Sequence, residues 1–524
     1  SEKEKNIDAG EYYPYLVKKG NAFGFDYNET NKNILIEGDN YHALKILQYT
    51  HKEKIDVIYI DPPYNTGKKK EFKYGDSWID KNSGYKHSYW LSFINKRLEI
   101  AKNLLSKDGL IFISIDENEY ARLKLLCDDI FTSSNFIGSF VKKISGGKND
   151  SKTIKVNHEY LLCYKRTEKA TIHLNIEYTK KDETRSLQKD GDNEERFNRE
   201  NLWYPIYANI KTKEISLEFK KDMIEIFPIK NDGLERYWRW EYDTAVKRIN
   251  ELRLTKTKFD DGKIKYDIGV FTPKGTRKEL PWNSFISDFS AGGGTQLKEV
   301  LGKKIAGMYP KNLDYIKWIC NLSVKKNPII LDFFAGSGTT GQALEELKKD
   351  ISSHIENPKY ILITNNENNI CEEVCYQRIK KANEKYNYNS NLEYLKTELL
   401  KYDSQKHSDL DIKEFMVDKL IEIIKVREAC FKLDEINNFL LKFAHIDKSV
   451  YILQDIYKMK KNDYEAVISI LNDDERHTIN IYILSMSNHE HYINKIVKAN
   501  KNITFEPLPE SFLKMLRKIE RKRR

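Results

Sequence analysis

The apolar run Val57-Ile58-Tyr59-Ile60 stops abruptly at Asp61-Pro62-Pro63-Tyr64-Asn65-Thr66-Gly67. This pattern predicts a buried strand that ends in a rigid, polar turn bearing an aromatic ring. The two prolines fix φ and carry no amide N–H, which leaves the carbonyls of Asp61 and Pro62 free to face a ligand. Tyr64 adds a flat face beside them. Carboxylate, carbonyl and ring together suit an exocyclic amino group on a planar base, offering two acceptors for its N–H bonds and a surface for stacking. The structural alternative is a plain proline turn after a strand.

A second strand-and-turn unit lies about 270 positions later, where Ile329-Ile330-Leu331-Asp332 runs into Phe333-Phe334-Ala335-Gly336-Ser337-Gly338-Thr339-Thr340. Strand, glycine turn and helix in succession are how doubly wound α/β sheets hold nucleotide-like cofactors at the carboxyl ends of their strands. A phosphate-binding P-loop is excluded, because Gln342 stands where that loop needs lysine. A dinucleotide site is also disfavoured. The pattern is shorter than G-x-G-x-x-G, and Thr364-Asn365-Asn366 after the next strand supplies no immediate acidic ribose ligand.

Along the chain, residues 1–30 read as polar and irregular, and strands then alternate with helices through residue 166. Helices are expected over 91–105 and, after a cap at Asp116, over 121–131. Between 167 and 294 the alternation fails, charge rises, and Trp203, Trp238, Trp240 and Trp282 appear, which predicts an inserted domain. Its exit, Ala291-Gly292-Gly293-Gly294-Thr295, reads as flexible. Alternation resumes over 295–399, so a first core segment (31–166) and this second one complete a single sheet. Residues 400–524 read as a separate C-terminal α/β domain, helical over 415–431 and 433–443, with short strands near Tyr451 and over 479–484. Its basic end, 517–524, suits either DNA or a solvated helix terminus.

Asp-Pro-Pro-Tyr together with Phe-x-Gly-x-Gly resembles the S-adenosylmethionine-dependent amino methyltransferases of DNA. The catalytic motif precedes the glycine motif, an order that resembles the permuted beta group and its type III restriction-modification Mod subunits. Ile34-Leu35-Ile36-Glu37-Gly38-Asp39-Asn40, residues 108–115, His158-Glu159-Tyr160-Leu161-Leu162-Cys163-Tyr164 and the stretch from Tyr309-Pro310-Lys311 to Trp318 resemble further family motifs. The resemblance implies a Rossmann-like fold with a mixed, mostly parallel doubly wound sheet and an inserted target-recognition domain. It implies a catalytic motif of Asp61, Pro62, Pro63 and Tyr64. It assigns the cofactor adenine to Asp39 with Asn40, close contact to Phe334, Ala335, Gly336 and Gly338, the methionine end to Asp332 and Lys311, and the ribose to Glu367. The acceptor it implies is adenine N6 in duplex DNA, flipped out of the helix. Duplex DNA is therefore the expected partner, with a homodimer and a separate restriction subunit as partners the family allows.

Within the insert, Glu235-Arg236-Tyr237-Trp238-Arg239-Trp240 interleaves guanidinium groups with rings, which suits either contact with bases and phosphates or strand packing with a charged edge. Lys142, Lys143, Lys148 and Lys152 flank Gly146-Gly147 and are candidates for phosphate contacts. The net charge of +10 over 524 residues suits a polyanion, though a lysine-rich genome explains it equally well. Cys127, Cys163, Cys320, Cys371, Cys375 and Cys430 form no paired metal-binding spacing, so reduced thiols and no metal are expected. Without a signal peptide or spanning apolar run, the chain is expected to be soluble and cytoplasmic, at the bacterial nucleoid. Two alternatives stay open: a cytosine N4 methyltransferase, and a specificity subunit that positions a separate nuclease on DNA.

Overall fold

The computed structural model describes residues 2–9, 11–19, 32–67, 73–74, 77–78, 83–144, 154–189, 199–229, 233–258, 262–289, 292–401, 409–430, 433–443, 448–453, 459–483 and 502–509. It divides into two compact units, one formed by Ser1–His173 with Asn283–Arg524 and the other by Leu174–Trp282.

The first unit is built on a ten-stranded sheet. In chain order its strands are β1 (Tyr12–Lys18), β2 (Asn33–Glu37), β3 (Ile55–Ile60), β4 (Leu105–Ile115), β5 (Phe136–Lys143), β6 (His158–Lys165), β7 (Phe285–Ile286), β8 (Ile329–Asp332), β9 (Lys359–Thr364) and β10 (Leu392–Lys401). In space the order is β1-β10-β2-β9-β8-β3-β4-β6-β5-β7. The five central pairings from β10 to β4 are parallel, and the antiparallel ones lie outside them, where β1 meets β10 and β6 meets β4 and β5. The sheet is therefore mixed and mostly parallel, as expected. Its central strands are continuous apolar runs because helices cover both faces. The helix Lys86–Leu104 buries Trp90, Ile94, Arg97, Leu98 and Ala101, a stripe at helical spacing.

Several sequence expectations are corrected here. Residues 1–30 are not wholly irregular: a helix (Glu2–Asp8) and β1 lie within them, and Tyr13, Tyr15 and Leu16 are buried. Pro14 fits because β1 is an edge strand. Residues 433–443 form a hairpin of strands Leu433–Asn437 and Leu440–Phe443 rather than a helix, with the Asn437 side chain accepting from the Phe439 N–H in the turn. Ala291 of the expected exit lies outside the described residues, and the rest is not a flexible tether, since Gly292 caps a helix (Gly293–Leu301) that begins there. A Cβ on Gly293 would lie 2.0 Å from the Pro310 carbonyl oxygen, so that glycine serves close packing.

The C-terminal segment has its own five-stranded sheet but belongs to the first unit. Leu441, Phe443, Val450, Ile452 and Tyr482 on that sheet share a hydrophobic core with Leu420, Ile423 and Ile424 of the helix Asp409–Glu428 and with the main sheet. Shared apolar burial makes it an extension of the first unit instead of a separate domain.

The second unit is narrower than the expected 167–294 insert. It contains small antiparallel sheets around a core of Leu187, Ile206, Trp238, Leu252 and Ile268. Among the described residues no helix is long and apolar enough to cross a membrane.

Gly38, which joins β2 to the next helix, has φ +146, and a Cβ there would fall 1.9 Å from Thr397 Oγ1 on β10. Gly38→Ala is expected to destabilise the fold by about 2 kcal/mol. A lowered thermal midpoint, partly restored by adding Thr397→Ala, is the predicted reading; an unchanged midpoint would count against it.

Candidate active site

Strand order decides where the two motif turns meet. From β8 the chain continues to β9 on one side, and from β3 it continues to β4 on the other, so the winding direction reverses between β8 and β3. Ligands of open α/β sheets bind at such a switch point, outside the carboxyl ends of the strands. The register pairs Ile330 with Val57 and Leu331 with Ile58. The glycine turn after Asp332 and the proline turn after Ile60, the expected catalytic motif, therefore leave the same edge on adjacent strands.

The proline turn is braced from behind. The buried Trp90 indole donates to the Pro63 carbonyl at 2.7 Å. Asn65 has a left-handed φ of 56°, and its amide donates to Glu119 Oε1 at 2.6 Å. Glu119 is fully buried and also holds His87 through that oxygen.

In front, the turn joins a charged cluster. The Tyr64 hydroxyl donates to Asp61 Oδ1 at 2.7 Å. Lys311 Nζ donates to Glu159 Oε2 at 2.7 Å and to the Tyr64 hydroxyl at 2.6 Å, and stands 3.3 Å from Asp61 Oδ1. Lys142 Nζ donates to Glu159 Oε1 at 2.8 Å and lies 4.5 Å over the Tyr315 ring. Asp61 is thus oriented through Oδ1, and its side chain remains 30% exposed for an incoming group. Burial pushes the Asp61 carboxyl up from its ordinary range, against the pull of Lys311. Burial also works upward on Glu159, yet Lys311 and Lys142 together hold it down at about 2. Burial opposes the charge on Lys311, but Asp61 and Glu159 raise its pKa above the ordinary value.

The predicted cofactor residues are distributed around the switch point. Asp39 is exposed, caps the helix Asn40–Thr50 through the Tyr41 N–H, and lies 3.3 Å from the buried Arg97. Asn40 ties the two motifs together: its amide donates to the Phe333 carbonyl at 2.9 Å while Arg97 Nε donates to its oxygen at 2.5 Å. Phe334 is half-buried against Phe93, and the Ala335 N–H donates to Ile363 on β9. Gly336 has φ +50, and a Cβ there would make only an ordinary contact, 3.8 Å from the Phe334 carbonyl oxygen. Gly338 is different. Its φ is +76, and a Cβ would come within 2.9 Å of Cys375 Sγ, so packing accounts for this glycine. Asp332 accepts from the Phe334 N–H and the Thr340 hydroxyl and is buried, which makes it a pin for the turn. Lys311, expected at a methionine end, is committed to Glu159 and Asp61. Glu367 is exposed just beyond β9.

The predicted DNA contacts fare unevenly. Lys142 is buried in the ion pair with Glu159 and cannot lie along a phosphate backbone, whereas Lys143 is exposed. Lys148, Lys152 and the basic end at 517–524 lie outside the described residues. In the second unit Arg236 and Trp238 are buried, the Trp238 indole donating to the Tyr204 carbonyl, so strand-like packing wins over base contact there. Arg239 and Trp240 are half-buried, with Arg248 stacked 4.3 Å over the Trp240 ring.

Sequence reading placed Glu159 in a family motif without a site role, and missed Trp90, Glu119 and Arg378. Arg378 is buried and donates to Gln342, Ser337 and Thr339 behind the glycine turn, where burial lowers its pKa to about 10. In sequence Trp90 and Arg378 sit within ordinary helical elements and Glu119 in the turn before a helix, and Glu159 alone, as a carboxylate inside an apolar strand, could have drawn notice.

A DNA methylase family model matches residues 55–374, more than half of the chain. The chain belongs to the DNA methylase family. The type II methyltransferase M.KpnI of Klebsiella pneumoniae is 36% identical to this methylase over 327 residues, covering 60% of it and 77% of M.KpnI. The type III restriction-modification enzyme EcoPI Mod subunit of Escherichia phage P1 is 31% identical over 370 residues, covering 62% of the methylase. The methylase spans only 56% of that subunit's length. Among solved structures, the PvuII DNA methyltransferase (cytosine-N4-specific) overlaps 69% of the methylase and 95% of its own chain, with a TM-score of 0.36 and 11% identity.

Burial raises the Asp332 carboxyl to about 7. The folded methylase then holds a proton that the unfolded chain has released above about pH 4. Stability from this site is therefore greatest at low pH and is lost as pH rises through 7. Relative to the parent protein, Asp332→Asn is expected to be more favourable at pH 8 than at pH 5, by on the order of 2 kcal/mol. Thermal midpoints at the two pH values test this, and an offset independent of pH would reject it.

Proposed function

We propose that this methylase transfers a methyl group from S-adenosylmethionine to the N6 amino group of a flipped-out adenine in duplex DNA, as the modification half of a restriction-modification pair. One observation carries the reading: at the end of a central parallel strand, Asp61 is anchored through one oxygen by Tyr64 and Lys311 while its side chain stays partly exposed. The lone pair of an aromatic amine is delocalised into its ring and is poorly nucleophilic. When the Asp61 carboxylate and the Pro62 carbonyl accept its two N–H bonds, the nitrogen is drawn toward tetrahedral geometry and the lone pair becomes available. Asp61 also stabilises the positive charge that builds on the amine.

S-adenosylmethionine, when bound, supplies an electrophilic methyl group. The residues at the switch point fit such a group. Gly336 has no side chain and a left-handed φ, which allow close backbone approach, Phe334 is a half-buried ring, and Asp39 has an exposed carboxylate at the neighbouring turn. Asn40 and Arg97 hold that turn against the glycine motif. Aspartate at position 61 favours adenine within the amino methyltransferases. The likeness to a Mod subunit supports a separate restriction subunit as partner.

The base leaves the duplex at a cost of a few kcal/mol, and stacking on Tyr64 offsets roughly 1 to 3 kcal/mol of it. Tyr64→Phe keeps the ring and removes the hydroxyl that orients Asp61. It should lower kcat while leaving base flipping, followed by 2-aminopurine fluorescence, near the parent level. Tyr64→Ala should weaken both; equal behaviour of the two variants would refute the division of roles.

Long-read sequencing of DNA from cells expressing the methylase or its Asp61→Ala variant tests the whole reading. N6-methyladenine at one recurring motif, absent in the variant, is expected. Modified cytosine, or methylation that survives Asp61→Ala, would overturn it.

A further inference from the structure

Glu159 is the one acidic side chain in an otherwise apolar or neutral stretch of β6, facing the catalytic turn from two strands away in the sheet. Its two oxygens divide the work. Oε1 accepts from Lys142 on β5, and Oε2 accepts from Lys311 at 2.7 Å and from the Tyr64 hydroxyl at 3.3 Å. Lys311 Nζ is therefore nearer to Glu159 than to Asp61 Oδ1, which stands 3.3 Å away. A buried ammonium moves toward whichever carboxylate attracts it more strongly, because the low local dielectric magnifies each Coulomb contact. An ammonium fully engaged by Asp61 would occupy the carboxylate that an amino substrate needs. It would also place positive charge next to a nitrogen that becomes positive during methyl transfer.

We propose that Glu159 is a positioning residue for methyl transfer: it draws Lys311 away from Asp61, so that Lys311 orients the catalytic carboxylate without capturing it. Lys142 is the second half of the device. Two cations and two carboxylates bring the buried cluster to neutrality, with Lys142 balancing the charge that Glu159 brings. The other titratable groups facing the cluster are Tyr59 on β3, Tyr64 in the turn, Tyr315 on the helix Leu313–Asn321, and Asp332 on β8. Each tyrosine there is held well above its ordinary pKa by burial and stays neutral near pH 7, so the charge balance rests on the four ionised groups and Asp332. The negative charge of Glu159 also works upward on the Asp61 carboxyl. Removing that charge leaves Lys311 to act on Asp61 alone.

The proposal rests on the methyl-transfer reading for its kinetic arm and on a spectroscopic arm that needs no turnover. In Glu159→Gln, kcat should fall by roughly 10- to 100-fold, with little change in KM for S-adenosylmethionine, and the acid limb of the kcat profile should move to lower pH. The Asp61 carboxyl, followed by pH-dependent infrared difference spectra against Asp61→Asn, should titrate at lower pH than in the parent protein. Because Glu159→Gln leaves Lys142 and Lys311 with only the Asp61 carboxylate between them, one cation in excess, the double variant Lys142→Met/Glu159→Gln serves as the folding control. It should regain the parent thermal midpoint while kcat and the Asp61 titration stay displaced. Recovery of kcat with stability in the double variant would show a merely structural role and overturn the proposal, as would an Asp61 titration unmoved in Glu159→Gln. If the parent protein transfers no methyl group, the functional reading falls, and the infrared titration still decides whether Glu159 governs Asp61.

Discussion

The parallel pairing of β8 with β3 is the constraint on which the rest of this methylase depends. It joins residues that are about 270 positions apart in the chain and sets the glycine turn beside the catalytic turn. Both turns leave the sheet at the carboxyl ends of their strands, where peptide groups no longer pair with neighbouring strands and can face a ligand. Asn40 reinforces the join from β2, since it reaches the Phe333 carbonyl while held by Arg97. Arg97 itself is buried on the helix Lys86–Leu104 and pairs with Glu4, so the N-terminal helix Glu2–Asp8 contributes to the same scaffold.

Electrostatics give the site its second layer of order. Asp61 alone at a strand end would be a carboxylate with freedom to turn. Tyr64 and Lys311 remove that freedom by fixing one of its oxygens, Glu159 holds Lys311 from the other side, and the opposing charges keep the cluster tolerable in a buried setting. Lys142 illustrates how the environment decides a residue's role. An exposed lysine beside a glycine loop suits phosphate contact, but on β5 this one points inward and neutralises Glu159. The same holds for Asp332 and Gly338, whose partners show them shaping the glycine turn from within.

Much of the fold was legible from local pattern. Buried strands at 57–60 and 329–332, each ending in a chemically distinctive turn, announced a doubly wound sheet, and continuous apolar runs marked its central strands. The edges were less legible. β1 carries a proline and several tyrosines, a composition that reads as irregular until β10 pairs with it. The hairpin at 433–443 has apolar spacing that fits a helix as well as two short strands, and only pairing with the Ser449–Leu453 strand resolves it. The alternation of arginine and tryptophan at 235–240 likewise fits a surface or a core, and burial puts Arg236 and Trp238 in the core while Arg239 and Trp240 stay half-buried.

By itself the sequence determined the chemistry on offer: an aspartate, two N–H-free proline positions and a tyrosine at one strand end, and a glycine turn at another. Those properties are covalent and local, so spacing and side-chain identity suffice to read them. Tertiary structure decided which groups act together. That Glu159, Lys142 and Lys311 converge on Asp61 from three separate segments follows from strand order and register, which depend on burial summed over the whole sheet and leave no trace in any short stretch of sequence.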